Sequence, residues 1–303
     1  MITRNQIENY RFAGGRKTAK FRRKAKWQFG HDVFMTLCIG AIARSENRYL
    51  TVSDLMLSTD IISWEPSITK ASFVGRNPAW ITMFAGDPTH AAQVTGEVIS
   101  MLAGHTSTPF QVVAFAYRAA FKRELEKKVN NEVLSVYGLT REEFIKEGRS
   151  AFGDEEFGRI LEKVSTTELE TEFLVGNPSS LFSISDPGII HYHDAIGFHA
   201  IGTGCVLAQA ALNGIFDQTA PLREMLYRLL AAKFRAESPH VGRKTFVTLT
   251  DHNLSVCEGF RPEDCERIRA IWESKGQPVI PKEYFDFIGP ELSLWPFEMP
   301  TKK

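Results

Sequence analysis

The sequence predicts an α+β fold in which two antiparallel sheets lie face to face, each with a helical layer outside it. Three observations carry this. Segments of one kind come in blocks, in the order strands, helices, strands, helices, strand. The strand-like segments are divided by short polar turns, as antiparallel hairpins require. With 43% hydrophobic residues in 303, the chain can bury a real core.

The first block opens with "TLCIGAIA" and "RYLTVSDLML", short and rich in Ile, Val, Leu and Thr, and joined by the polar turn "RSEN". "SITKASFVG" and "AWITMFAG", split by "RNP", form a second hairpin-like pair. In "GDPTHAAQVTGEVISMLAG", Asp87 and Pro88 suit a helix entry, Ala91, Val94, Val98 and Met101 have helical spacing, and Gly104 ends the run.

From Thr108 to about residue 170 the pattern is helical almost throughout. Its apolar spacing gives way to alternating charges, so the first half should be buried and the second should project into solvent or meet a partner. This region reads as an inserted helical arm or as an ordinary helical subdomain. A second strand block follows in "ETEFLVGN", "SLFSISDPG" and "IIHYHDAIGFHAIGTG", with "NPSS" and "DPG" as turns. Two helices, "GCVLAQAALNGIF" and "APLREMLYRLLAAKFRAES", lead to the strand "RKTFVTLTD". The tail from Leu254 holds one acidic-basic helix, "RPEDCERIRAIWESKG", and a Pro- and aromatic-rich end, "PFEMP", expected on the domain surface. There is no internal repeat or low-complexity tract.

Composition narrows the classes. No apolar run approaches the roughly 18 to 20 residues that span a bilayer, because residues such as Arg118 and Gln209 interrupt the most apolar windows. No membrane span is expected. Cys38, Cys205, Cys257 and Cys265 form no C-x-x-C pair and read as reduced thiols of a cytoplasmic protein.

The formal net charge is zero but unevenly spread. Residues 1–34 hold nine Lys or Arg against Glu8 and Asp32, which leaves 27 basic and 34 acidic residues, about −7, from Met35 onward. The basic segment fits a nucleic-acid or acidic-surface arm, a targeting peptide, a poorly ordered tail, or sequence translated upstream of the true start. It lacks the long apolar stretch of a secretory signal.

The motifs "MTLCIGAIA", "VSDLMLSTD", "SITKASFVG", "ITMFAGDPTHAAQ", "FHAIGTGCVLAQAAL" and "SPHVGRKTFVTLTD" together resemble the proteasome β-subunit family and its bacterial relatives, in the amino-terminal nucleophile hydrolase superfamily. The resemblance covers most of the chain from Met35 to about Asp251. It implies a four-layer αββα sandwich with a helical insertion at about 108–170. The domain scheme is then a basic extension over 1–34, a domain over 35–253, and a terminal helix and tail over 254–303. Thr36, four positions before Gly40, falls on the family's nucleophile. Asp54 falls on the strand aspartate, Lys70 on the family lysine and Gly86 on the oxyanion-hole glycine. Thr203 in "GTGC" stands where a serine is usual.

The chemistry that the resemblance implies is physically sound. A threonine hydroxyl is a poor nucleophile. As the chain terminus, however, Thr36 would carry an α-amine of pKa about 7.7 to 8.0 able to take its proton. Lys70 would favour the neutral amine and the developing alkoxide, with Asp54 holding the lysine in place. The Gly86 N–H would stabilise the oxyanion, a contribution of roughly 3 to 4 kcal/mol where one such donor has been removed. The scheme requires a free amine on Thr36. Met35 before a small residue suits an initiator methionine, and autocatalytic cleavage of a propeptide is the alternative.

Two further positions depart from the family pattern. Met56 stands where a basic residue is expected, and the aspartate of the last loop is replaced by Glu237 or Ser238. An inactive, assembly-only relative fits these departures. "HYHDAIGFH" gathers His191, His193, Asp194 and His199, and a strand would put His191 and His193 on one face as a possible ligand pair. "GTGC" is too short for a phosphate loop.

The reading is therefore a threonine-nucleophile peptidase acting on peptides or unfolded proteins, a homo-oligomer as its relatives are, with no cofactor or metal. Whether an ATPase partner delivers substrates is open. A non-catalytic scaffold and an amidase or acylase of small amides are the alternatives. Nucleic-acid binding through the basic arm would show as salt-sensitive affinity lost with residues 1–34.

Overall fold

The computed structural model describes residues 36–55, 57–58, 63–64, 70–238, 241–251, 257–275, 280, 282–288 and 295–296. The strand Cys38–Ala43 (β1) is buried on both faces. Successive side chains of a strand point to opposite sides. Ile39, Ala41 and Ala43 accordingly join one apolar cluster, and Cys38 and Ile42 another. Such two-sided burial places β1 between a helical layer and a second sheet.

Along the chain follow Arg48–Asp54 (β2), the two-residue strands Leu57–Ser58 (β3) and Ser63–Trp64 (β4), Ala71–Val74 (β5) and Trp80–Gly86 (β6). The helices Pro88–Leu102 (α1), Phe110–Lys128 (α2) and Arg141–Thr166 (α3) precede the strands Thr171–Gly176 (β7), Leu181–Ser185 (β8), Ile189–Tyr192 (β9) and Phe198–Ile201 (β10). Next are Cys205–Leu212 (α4), Leu222–Ala236 (α5), Thr245–Thr250 (β11), Cys257–Gly259 (β12), Pro262–Lys275 (α6), Lys282–Ile288 (α7) and Trp295–Pro296 (β13). One sheet has the order β10-β1-β2-β11-β12-β13 and the other β5-β6-β7-β8-β9, and β3 pairs with β4. Neighbours in both large sheets are antiparallel.

The layers follow from the apolar clusters. Val94 and Val98 of α1 and Tyr117 and Phe121 of α2 pack on Phe173 and Val175 of β7. Met225, Leu229 and Leu230 of α5 pack on Ile39, Leu50 and Val52. Between the sheets lie Ile42, Tyr49, Ile81, Met83, Leu174 and Ile201. The chain is the α+β, four-layer αββα arrangement that its segment order predicts.

Local chemistry explains the main elements. Asp87 caps α1 by accepting the Thr89 N–H at 2.7 Å, with Pro88 at the first helical position. Leu102, rather than the expected Met101, is the buried residue of the last turn. Tyr117 in the buried first half of α2 meets Phe173 and Phe182 at ring-centroid distances of 5.6 and 6.1 Å. Beyond Lys128 the helix runs through a π-helical turn, Val129–Leu134, and ends at Gly138 with φ +69°. Thr140 and Glu143 form a capping box at the start of α3, which breaks at Gly153. Val129, Leu134, Phe144 and Ile160 make a small separate core there.

One reading of the sequence changes. "IIHYHDAIGFHAIGTG" is not one strand: β9 and β10 belong to different sheets, and the chain turns between them at Gly197, whose φ is +81°. In the tail helix, Cys265 and Ile268 of α6 are part of the core around α5. Only Trp295 and Pro296 of the end segment are described, paired with β12. The basic segment 1–34, Met35 and Met56 lie outside the described residues. Among the described residues no helix is long and apolar enough to cross a membrane.

One close fit ties the sheets together. The Tyr49 ring rises from β2 into space that side chains at Gly40 and Gly176 would occupy. The glycine four positions beyond Thr36 is thus required by packing.

Candidate active site

Thr36 enters β1 at its amino end, beside the end of the hairpin partner β2, because Cys38 pairs with Ser53. This register brings Asp54 next to it. The Thr36 hydroxyl donates to Asp54 Oδ1 at 2.8 Å, and the Leu37 N–H donates to the same oxygen at 3.0 Å. Lys70 arrives from the segment before β5. Its Nζ donates to Asp54 Oδ1 at 2.7 Å and also hydrogen-bonds the Thr36 hydroxyl. The other carboxylate oxygen accepts the Gly242 N–H at 2.9 Å. Thr36, Asp54 and Lys70 are all buried, with exposures of 3%, 0% and 4%.

A buried carboxylate facing an ammonium, a hydroxyl and two backbone N–H groups is paired and well solvated by the protein, as burial of charge demands. What this does chemically is fix the rotamer of the Thr36 hydroxyl and hold a positive charge against its oxygen. A developing alkoxide at that oxygen meets an ammonium already in place.

Gly202, Thr203 and Gly204 form the second wall. The Gly204 N–H donates to the Thr36 carbonyl at 3.3 Å, and Gly202, with φ +89°, lies against that carbonyl. Gly86 ends β6 opposite Thr171, with φ +100° and no room for a side chain against the Glu170 carbonyl. Gly86, Gly202 and the exposed Thr203 line a cavity of about 380 Å³. The structure therefore gathers Thr36, Asp54 and Lys70 into one hydrogen-bonded cluster and puts Gly86 and Thr203 together on the cavity beside it.

Two nearby groups were not singled out from the sequence. Glu172 lines the cavity and accepts the Gly202 N–H; burial pushes its carboxyl up to about 7, and that hydrogen bond only partly offsets the effect. The signal for it was available, since Glu172 shares strand parity with Leu174, which faces the other sheet. Gly242 carried no such signal, because only the three-dimensional course of the loop brings its N–H to Asp54. Other acidic residues on the cavity are Glu168, Glu170 and Asp186; Asp186 accepts the Leu169 and Glu170 N–H groups at 2.8 and 3.0 Å.

Cys38, two residues beyond Thr36, is held as a neutral thiol. Burial pushes its thiol up to about 12, with the Lys70 charge opposing, and its Sγ lies 3.4 Å from the Phe84 carbonyl. Glu237, one of the two candidates for the altered loop acid, turns away from Thr36 to pair with Lys233 and Arg269.

The histidine segment behaves differently from a ligand pair. His193 and His199 stack face to face with centroids 3.6 Å apart and planes 6° from parallel, while His193 Nε2 contacts Ser183 Oγ at 3.0 Å. Burial, and then the neighbouring histidines, hold both rings below their usual range, to about 3 for His193 and about 4 for His199. Their ring faces rather than their nitrogens are directed at each other. Among the described residues no group of three or more His, Cys, Asp or Glu is placed to hold a metal ion.

No protein-family model matches the chain, and no curated protein matches it in sequence. Among solved structures it is similar to Anbu (ancestral beta-subunit) from Yersinia bercovieri, at 10% identity and a TM-score of 0.55, over 79% of this chain and 94% of that one. It is likewise similar to an Anbu (Gly-1) mutant from Hyphomicrobium sp. strain MC1, at 13% identity and a TM-score of 0.55, over 79% and 94% of the two chains. At such identities the likeness shows the fold alone, which is proteasome-like.

Proposed function

We propose that the protein is a hydrolase that uses Thr36 as an amino-terminal nucleophile and cleaves peptide bonds. The observation that carries this reading is the contact of the Thr36 hydroxyl with both Asp54 and Lys70, three residues from separate segments, all buried. The active form begins at Thr36, with residues 1–35 removed or never translated.

In that form the Thr36 α-amine takes the hydroxyl proton as Oγ1 bonds to the substrate carbonyl carbon. The Lys70 ammonium stabilises the alkoxide character of Oγ1, and the Gly86 N–H faces the carbonyl oxygen as it becomes an oxyanion. Collapse of the tetrahedral intermediate breaks the C–N bond, and the leaving amine takes the proton from the α-ammonium. Water then adds to the Thr36 ester, its proton passing to the α-amine, and the acid departs with Thr36 restored. The Gly202–Gly204 loop holds the Thr36 backbone through these steps.

A cavity of about 380 Å³ also falls within the roughly 300 to 1,000 Å³ typical of small-ligand pockets, which favours a small amide as the second reading. Assembly into a homo-oligomer belongs to the same proposal. The side chains of Val206 and Leu207 on α4, 71% and 54% exposed, are apolar surface that an assembly would cover.

The test is intact mass and amino-terminal sequence of protein from its native host, followed by labelling with a β-lactone. A chain that begins at Thr36, gains one acyl group on that residue and loses labelling in Thr36→Ala is the expected result. A chain that begins at Thr36 and stays unlabelled overturns the hydrolase reading and leaves the scaffold. Turnover of peptides against small amides separates the two enzyme readings.

A further inference from the structure

Below the Thr36 cluster, on the helical side of the first sheet, two buried cations converge on one backbone carbonyl. Lys233, at the end of α5, donates to the Arg243 carbonyl at 2.6 Å, and Arg269, in the middle of α6, donates to it at 2.7 Å. Both side chains are buried, 0% and 2% exposed. Glu237 pairs with both, Glu266 accepts from Arg269 Nε at 3.1 Å, and the guanidinium carbon sits 4.3 Å from the centroid of Phe234. Taking two cations from water is costly, and an ion pair of this kind is weak evidence of stability, since apolar residues could fill the space as well. What apolar residues could not do is grip a carbonyl oxygen.

The gripped carbonyl belongs to the residue after Gly242, and the Gly242 N–H is the donor to Asp54 Oδ2 at 2.9 Å. Asp54 in turn orients Lys70 and the Thr36 hydroxyl. The path runs from Arg269 by a hydrogen bond to Arg243, along the backbone to Gly242, and by two further hydrogen bonds through Asp54 to Thr36.

We propose that Arg269 and Lys233 are positioning residues for the Thr36 site, clamping the Arg243 carbonyl so that the Gly242 N–H holds Asp54 in place. The helix α6, which follows β12 in the chain, then supports the active site. The proposal rests on the hydrolase reading for its catalytic consequence, while the clamp can be observed without it.

The test compares Arg269→Lys, which keeps the charge and loses the planar fork, with Ile268→Val, which trims the same helix in the same core without touching the carbonyl. Both are made in the full chain processed to Thr36 and studied well below their melting temperatures. In Arg269→Lys, kcat should fall about tenfold or more with KM within about twofold, as expected when only the transition state loses support. Hydrogen exchange of the Gly242 amide should quicken by about tenfold. Ile268→Val should do neither. If Arg269→Lys does not fold, Lys233→Met is read by the same criteria.

Wild-type kcat and Gly242 exchange in the variant, or equal effects in Ile268→Val, would overturn the proposal. If the wild-type chain is neither active nor acylated, the hydrolase reading fails by itself. Gly242 exchange then decides the clamp: quickening upholds it and no change overturns it.

Discussion

Gly202 lies so close to the carbonyl oxygen of Thr36 that a side-chain carbon at position 202 would overlap it. The same glycine gives its N–H to Glu172, and its φ of +89° is one that L side chains rarely adopt. The loop is therefore held at Gly202 and, through the Gly204 N–H, holds the Thr36 backbone.

Gly202→Ala should lower stability by about 1 to 3 kcal/mol, the usual cost of a strained backbone conformation, before any displacement of Thr36 is counted. Acylation of Thr36 should slow more than tenfold. Urea unfolding and a labelling time course measure the two effects. Wild-type labelling in this variant would mean that the loop does not set the position of Thr36.

Glu172 makes the protein's stability depend on pH in a particular direction. The carboxyl ionises near its ordinary value of 4.5 in the unfolded chain, but only at about 7 when folded, because it is buried. Between these values the folded state keeps a proton that the unfolded state has lost, so this group's contribution to stability falls as pH rises through the window. Glu172→Gln cannot ionise. Its melting temperature relative to wild type should rise from pH 5 to pH 8, and a difference that is the same at both pH values would refute the assignment. Calorimetry at the two pH values is sufficient.

The Tyr49 ring offers a contrast within one contact. Its hydroxyl is buried and has no hydrogen-bond partner among the described residues. Tyr49→Phe should therefore raise stability by about 1 kcal/mol or leave it unchanged, since it removes an unsatisfied polar group. Gly40→Ala should lower stability by about 1 to 3 kcal/mol, because the added methyl overlaps the Tyr49 hydroxyl. In the double variant most of that cost should be relieved, because the hydroxyl that the methyl overlaps is gone and only the ring carbon Cζ and Leu174 remain close, at 3.1 and 3.2 Å. Chemical denaturation of the three variants checks the set.

Much of the layer order was legible in the sequence because strands and helices occupy separate blocks and β-strand parity is a local property. The αββα arrangement follows from that order. Within the site, Thr36, Asp54 and Lys70 were all placed by family resemblance; the turn "RSEN" makes the hairpin that joins the first two visible, and nothing local brings Lys70 to them. The histidine segment misled for a physical reason. Its residues are as strand-like between Ile189 and Ile201 as in a continuous strand, and only the turn around Gly197 sends the two halves to different sheets. Arg269 and Lys233 were invisible in another way. On a helix, charged residues usually mark the solvent side, and nothing local tells that α6 turns Arg269 inward onto a carbonyl of another segment.

The pairing of β1 and β2 has a consequence for how the molecule is made. Their outer neighbours, β10 and β11, come from far along the chain: Cys38 waits for Ile201, Asp54 for Thr245, and the Asp54 carboxylate for Gly242, 188 positions away. Contacts of such separation form late, because the intervening chain must first be brought together. On a ribosome that synthesises from the amino end, the segment bearing Thr36 emerges early and remains without its flanking strands and without the Gly242 N–H that donates to Asp54 until most of the chain has followed. A nascent chain therefore carries Thr36 without the finished cluster around it.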